Sequence, residues 1–168
     1  TSTRLPDGGV FSILSNITEI KQREASLKQL SDAIEVTPNA ILLWDKNHKL
    51  VMGNKIAKKI QKKWGFDLKE GVDRNKMLEH VEKVGLLKIP EGMTSKEYYR
   101  GRTNLSKSGN NNVFEQSFTD DTSWIVSETK LADGGQLLVY SDITELKEKE
   151  KQVKEAQDQV RETEKRMT

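Results

Sequence analysis

The chain has 168 residues, with 28 Lys and Arg against 26 Asp and Glu, a formal net charge of +2, 34% apolar and 32% charged residues, and no cysteine. That length suits one globular domain with extensions, the near cancellation of charge argues against a nucleic-acid binder built on phosphate neutralisation, and the lack of Cys excludes disulfides, thiolate catalysis and cysteinyl-flavin photochemistry. With only His48 and His80 to offer, a zinc site is not expected; no apolar run approaches the ~20 residues that span a bilayer and no signal peptide is visible, so a cytoplasmic location without direct membrane contact is expected.

The chain opens on a segment that recurs near its other end. Thr3 to Glu24 align without a gap on Thr129 to Glu150, at a constant offset of 129 − 3 = 126 residues, sharing Asp-Gly-Gly, Ile-Thr-Glu and the final Glu. In each copy Asp-Gly-Gly supplies the positive-φ positions of a tight turn, and an apolar strand follows, Val10–Leu14 in the first and Leu137–Tyr140 in the second. Asn16 then stands three residues before Glu19, and Asp142 three before Glu145, the pattern of a helix N-cap with a capping-box-like partner.

A period of 126 residues suits a whole domain plus linker and not a solenoid. The expected organisation is residues 1–17 as the last strand of a preceding module, 18–36 as a linker helix, 37–142 as one complete domain and 143–168 as a C-terminal helix. On this reading Thr1 to Ser15 lacks its own sheet and is poorly anchored or pairs with another chain. A duplicated hairpin within a single domain is the alternative; it must explain why only the second copy follows further strands.

Pro38 marks the end of the first helix, because a residue before proline is pushed out of the α region. Ala40–Trp44 and Lys49–Met52 read as a hairpin across Asp45-Lys46-Asn47-His48. Asn54 is a good N-cap for a helix carrying Ile56, Ile60 and Trp64 on one face. Its other faces hold Lys55, Lys58, Lys59, Lys62 and Lys63, read as a solvated surface rather than an anion patch. A second helix over Asp73–Val84 shows an apolar stripe of Met77, Leu78, Val81 and Val84; His80 on it reads as structural, with haem ligation as the alternative. Leu86–Met93 reads as a loop, and Ser95–Thr103 as a short helix capped by Ser95 or Thr94. Past the turn-rich Ser108–Asn112, strands are expected at Val113–Thr119, Ser123–Leu131 and Gln136–Ser141, joined by short loops that make them antiparallel neighbours.

After Thr144 the sequence has no Pro or Gly and is rich in Glu, Lys and Gln. Leu146, Val153, Val160 and Met167 recur at sevens, with Ala156 and Thr163 between them; the first linker repeats the pattern with Ile20, Leu27 and Ile34, plus Leu30. These are seams that a partner helix could cover. The second seam is weakened by Glu150, Gln157 and Glu164, so an isolated dimer is expected to be marginal, a property that suits a helix with two close-lying packings. A rigid charged spacer is the alternative.

Two strands, several helices and three strands make an α+β domain, a five-stranded antiparallel sheet with helices packed on one face and linker helices at both ends. Ala40-Ile41-Leu42-Leu43-Trp44-Asp45 with Leu50-Val51 and Asn54, Trp124 with Asp133-Gly134-Gly135, and Asp142-Ile143-Thr144-Glu145 together resemble the PAS family over about residues 34–150. The first eighteen or so residues resemble the end of a preceding PAS module, with Asn16 where Asp is usual. More narrowly, the chain is similar to the PAS class of bacterial sensor histidine kinases and nucleotide cyclases.

That resemblance implies a non-catalytic sensory module whose signal junction is Asp142, Ile143, Thr144 and Glu145, passing a conformational signal to the C-terminal helix. It implies partners in a second copy of the chain, met through PAS domain and linker helices, and in adjacent PAS and effector domains, with no nucleic acid. It also implies a pocket between sheet and helices. The expectation is an apolar core with no cofactor; an unidentified small-molecule ligand is the alternative. An architectural dimerisation module without ligand is the competing function, since no nucleotide loop, metal constellation or nucleophile beside a base stands out.

Overall fold

The computed structural model describes residues 2–8, 10–12, 14–109 and 111–168, and only the backbone of residues 2, 3, 10–12, 14, 15, 103 and 105–107. The chain divides into two units, Thr1–Thr37 and Pro38–Thr168.

In the first unit, β1 (Ser2–Arg4) and β2 (Val10–Ser12) form a two-stranded antiparallel sheet, followed by α1 (Leu14–Val36). The expectation that this segment lacks a sheet of its own is therefore corrected. Gly8 takes φ 83° and its N–H donates to the carbonyl of Leu5 at 3.0 Å, which closes the turn and lets the two strands meet. The strand expected to reach Leu14 stops at Ser12, and Ile13 lies outside the described residues. From Leu14 the backbone satisfies its polar groups in a helix, so α1 runs through Asn16, which is not its N-cap.

The register of this hairpin is that of the one formed by β6 (Ser123–Lys130) and β7 (Gln136–Asp142). The pairs Ser2/Ser12, Thr3/Phe11 and Arg4/Val10 become Glu128/Leu138, Thr129/Leu137 and Lys130/Gln136 when 126 is added to each number, and all three are pairs of β6 and β7. The turns agree too: Gly134 takes φ 89°, and its N–H donates to Leu131 at 3.0 Å.

In the second unit β3 (Ala40–Trp44), β4 (Leu50–Gly53), β5 (Asn112–Ser117), β6 and β7 form one antiparallel sheet in the order β4-β3-β7-β6-β5. Helices α2 (Lys55–Lys63), α3 (Arg74–Val84) and α4 (Ser95–Lys107) lie between β4 and β5 in sequence, and α5 (Thr144–Met167) leaves β7. Period-two alternation puts Ala40, Leu42 and Trp44 on one face of β3 beside Leu138 of β7, where they cluster with Ala57 of α2, Met77 of α3 and Leu68. A second cluster joins Trp64, Val81, Leu86 and Leu87 to Phe118 and Trp124, with the Trp64 and Phe118 rings stacked 4.5 Å apart.

Asn54 fastens strand to helix. Fully buried, it accepts from Ile41 N at 3.0 Å and Ala57 N at 3.1 Å through one side-chain oxygen, and donates through Nδ2 to Asn39 O at 2.8 Å. One residue thus caps α2 and pins the start of β3. Thr94 and Glu97 form a reciprocal capping box at α4, Thr94 N to Glu97 Oε2 at 2.9 Å and Glu97 N to Thr94 Oγ1 at 3.2 Å.

The stripe expected on α3 is partly corrected. Met77 and Val81 are buried, while Leu78 and Val84 are exposed and Arg74 is buried in their stead. The helix starts at Arg74, capped by Asp73, and is turned so that its first residue faces the sheet. Leu86–Met93 is less loop-like than expected. Leu87 bridges Phe118, and Lys88 N donates to Ser117 O at 2.9 Å, extending the sheet edge.

Candidate functional site

The inner face of the sheet changes character from one side to the other. On β3 it is apolar, but at the equivalent positions of β5, β6 and β7 it presents Gln116, Glu128 and Gln136, and Gln116 and Glu128 are about 95% buried, at 6% and 5% exposure. Opposite these stand α2, α3 and α4, and between them lies a cavity of about 400 Å³, large enough for a small organic molecule.

All three helices contribute polar groups to the cavity wall, Asn75 of α3 and Tyr99 of α4 among them. Arg74, in the first turn of α3, donates to Gln136 Oε1 and, at 3.2 Å, to Glu128 Oε1. Arg102 of α4 approaches the same Glu128 oxygen to 3.9 Å, and its guanidinium sits 3.5 Å above the Phe114 ring. Gln61 of α2 is 6% exposed, and its Oε1 is buried without a hydrogen-bond partner. A sheet built only to hold helices would put apolar residues here, since an unpaired buried polar atom costs ~1–3 kcal/mol.

Burial draws the Arg102 guanidinium below its usual range, opposed by Tyr140, Glu128 and Tyr98. The Tyr140 hydroxyl is pushed up by burial against the pull of Arg74 and Arg102, and Tyr99 rises to about 12 through burial, Glu82 and Tyr98. Trp64, Met77, Val81, Leu87 and Phe118 are among the apolar residues of the wall, and Lys46, His48 and Lys130 also line it.

The second feature is the passage from β7 to α5. Asp142, the last residue of β7, accepts from Thr144 N at 2.9 Å and from the Thr144 hydroxyl at 2.6 Å. The same hydroxyl oxygen accepts from Ser123 N on β6 at 3.0 Å, and Ile143 N donates to Ser123 O at 2.9 Å. Ile143 is buried and occupies the N-cap position. One helical turn on, Lys147 pairs with Glu115 of β5 at 2.8 Å, which raises the Lys147 pKa, chiefly through that hydrogen bond. The first turn of α5 is tied to two strands besides the one it leaves.

Of the four junction residues, Asp142, Ile143 and Thr144 meet in this cluster. Glu145 does not: it is exposed and pairs with Lys149 at 2.8 Å, so the expected capping-box partnership with Asp142 is corrected. The reason is local. Asp142 bonds to the amide two residues on, leaving Ile143 rather than itself at the cap.

Leu146, Val153, Val160 and Met167 are all exposed on α5, as are Ile20, Leu27 and Leu30 on α1, whose Ile34 is half-buried. His80 stands outside the cavity lining; its Nε2–H donates to Trp64 O at 2.7 Å and its ring lies 5.5 Å from that of Phe66, a link from α3 to the end of α2. Lys55, Lys58, Lys59, Lys62 and Lys63 are exposed, Lys63 reaching Asp120 at 3.3 Å. Among the described residues no group of three or more His, Asp and Glu is placed to hold a metal ion, and no helix is long and apolar enough to cross a membrane.

The polar cluster of Gln61, Arg74, Arg102, Glu128 and Gln136 escaped the sequence reading. One signal was present: Glu128 shares the parity of Trp124 and Val126 on β6, a charged residue at an inward position of an otherwise regular strand.

The solved structures similar to this chain include the PAS domain of an HTR-like protein from Haloarcula marismortui, 16% identical, covering 75% of this chain and 98% of that one at a TM-score of 0.44. A complex of DhaR(N) with DhaL from E. coli is 13% identical, covering 77% of this chain and 39% of that one at 0.42. A domain of a sensory box sensor histidine kinase/response regulator from Geobacter sulfurreducens is 16% identical, covering 73% and 96% at 0.41. No curated protein matches the chain. The family profile described as the PAS fold matches residues 34–151, from the end of α1 through the junction into α5, and by that match the chain belongs to the PAS fold family.

Proposed function

We propose that this chain is a non-catalytic sensory and signal-transmitting PAS module of a larger cytoplasmic signalling protein, a sensor histidine kinase or nucleotide cyclase. The cavity receives the signal and α5 carries it out. The observation that carries this reading is the hydroxyl of Thr144, which joins the first residue of α5 to the backbone of Ser123 on β6 while bonding Asp142 at the end of β7. Glu128 of the cavity wall and Ser123 of the junction lie on that same strand. A small slide or twist of β6 therefore reaches the helix base through short, directional bonds.

Two further parts of the reading have support of their own. The register that β1 and β2 share with β6 and β7 supports a tandem arrangement, in which the N-terminal hairpin closes a preceding PAS module and α1 is its output helix. Exposed seams on α1 and α5 support self-association in pairs of parallel helices, a bistable element that a domain can bias. Those seams also favour the second reading, an architectural dimerisation module that binds nothing.

The test is the double variant Asp142→Ala, Thr144→Val in the full-length parent, with output measured with and without its stimulus. The expected result is loss of stimulus dependence with the sheet still folded. Unchanged regulation sinks the coupling role.

A further inference from the structure

We infer that Trp64 is a positioning residue that couples the end of α2 to the base of α5 through Asp120 and the turn between β5 and β6. The inference rests on the proposed transmission through the junction and adds a second line into it, one that enters from the helices and not along β6.

The contacts of one indole are the ground. Trp64 closes α2 at its C-cap and lines the cavity. Its Nε1–H donates to Asp120 Oδ2 at 3.0 Å, and its ring stacks on Phe118 at 4.5 Å. Both partners belong to the turn. Phe118 N donates to Thr122 O at 2.9 Å, and Asp120 Oδ1 accepts from the amide and hydroxyl of Thr122 at 3.1 and 2.5 Å. Next in the chain is Ser123, whose N–H donates to Thr144 and whose carbonyl accepts from Ile143. From the cavity wall to the helix base the line runs Trp64, Asp120, Thr122, Ser123, Thr144, each step a hydrogen bond or one peptide unit.

The bond from α2 is more than the turn itself requires. An aspartate that closes a turn bonds the amide two residues on, and Asp120 does so through Oδ1; its Oδ2 is given to α2. Of the two donors there, Lys63 is largely exposed, and an exposed ion pair contributes little. The indole is the directional link, strengthened by the carboxylate charge. It has a single N–H, so a tilt of the ring breaks this bond and nothing else on the ring replaces it. Asp121 takes φ 64°, a left-handed setting uncommon outside glycine, so the turn depends on the bonds around it. Whatever tilts Trp64 from the cavity side, or shifts α2 as a body, therefore loosens the Ser123 amide that Thr144 holds.

Contiguity is not yet coupling, which a double-mutant cycle measures. The experiment is hydrogen exchange on the complete chain, read at the amides of Ser123, Ile143, Thr144 and Lys147, all bonded within the junction. Trp64→Phe keeps an aromatic ring beside Phe118 and removes the N–H. Exchange at those amides should rise about three- to tenfold, the size of one lost hydrogen bond, while the amides of β3 stay protected. In a Thr144→Val background the same substitution should add less than about twofold, because the line is already cut. Asp120→Asn, made in the same two backgrounds, gives the answer if Trp64→Phe fails to fold. Asp73→Ala, the loss of a cap away from this line, should leave the junction amides unchanged. An equal rise in β3, full additivity with Thr144→Val, or no change at the junction overturns the inference and makes Trp64 a structural residue. None of those results touches the direct bond between Thr144 and Ser123. Unchanged regulation in the junction variants of the full-length parent would instead sink the transmission reading while leaving the measured coupling in place.

Discussion

Thr144 and Ser123 are 21 residues apart in sequence, and the backbone N–H of Ser123 donates to the Thr144 hydroxyl at 3.0 Å. The start of β6 and the base of α5 are thus one hydrogen-bonded unit. Replacing Thr144 by Val keeps the shape and removes the acceptor for Ser123 and the donor to Asp142. The expected cost is ~0.5–2 kcal/mol, the range of a lost cap. Hydrogen exchange should rise at Thr144–Lys147 while the amides of β3 stay protected, and Thr144→Ser should restore most of the loss. Equal loss of protection in β3 would show that the junction is part of the core rather than its outlet.

Asn54 makes the opposite prediction. Its side chain satisfies two amides and one carbonyl in a fully buried position, so Asn54→Ala loses the cap of α2 and orphans those groups together. A destabilisation of ~2–4 kcal/mol in urea unfolding is expected, larger than for Asp73→Ala at the exposed cap of α3.

Asp120 contributes to the acid limb of the stability curve. Burial alone would raise its carboxyl, but hydrogen bonds from Thr122, the Trp64 indole and Lys63 hold it down to about 2. Because the folded value lies below the ordinary 3.8, the unfolded chain binds the proton first as the pH falls. This contribution is complete above pH ~4 and disappears as the pH drops through about 2. Asp120→Asn should flatten that part of the urea midpoint against pH profile and cost ~1–3 kcal/mol at neutral pH.

The turn between β6 and β7 is sensitive at both glycines for different reasons. Gly134 sits at φ 89°, where a side chain is strained, by ~1–2 kcal/mol. At Gly135 an added Cβ would lie 2.7 Å from the Trp44 carbonyl, a backbone atom that cannot swing away. Gly135→Ala should therefore lower the melting temperature more than Gly134→Ala does.

If α5 pairs through its seam, Cys introduced at Val153 or Val160 should form disulfide-linked dimers efficiently, since the chain has no other thiol. Cys at Lys151 or Lys154 should cross-link far less. Val153→Glu should abolish concentration-dependent association in sedimentation. Equal cross-linking all round the helix would leave α5 a spacer.

Strands and caps were legible because their signals are local. Alternation gave β3, Asn54 announced α2, and Asp-Gly-Gly marked the β6–β7 turn, with bounds within a residue or two. The hairpin of β1 and β2 was missed although its register is that of the second copy, because three residues per strand carry too few alternations to read. The polar half of the cavity was missed for a different reason. Arg74, Arg102 and Glu128 are 28 and 26 residues apart in sequence, and each looks like a surface charge until the helices are laid over the sheet. Burial of a charge is a tertiary property, and the only local hint was the parity of Glu128. Leu78 and Val84 erred the other way, apolar residues at helical spacing that the observed rotation of α3 leaves in solvent.

All the bonds that fix the base of α5 to the sheet end at Lys147, and residues 148–168 are exposed throughout. Whatever follows that first turn is held only by being helical and in phase. On the proposed reading such an outlet is interchangeable: another effector can be spliced on without redesigning the sensor, provided the new helix keeps the angular setting of the old. Seven extra residues turn the seam by about 20°, whereas two turn it by about 200°. Working chimaeras should therefore fall at linker lengths that differ by sevens.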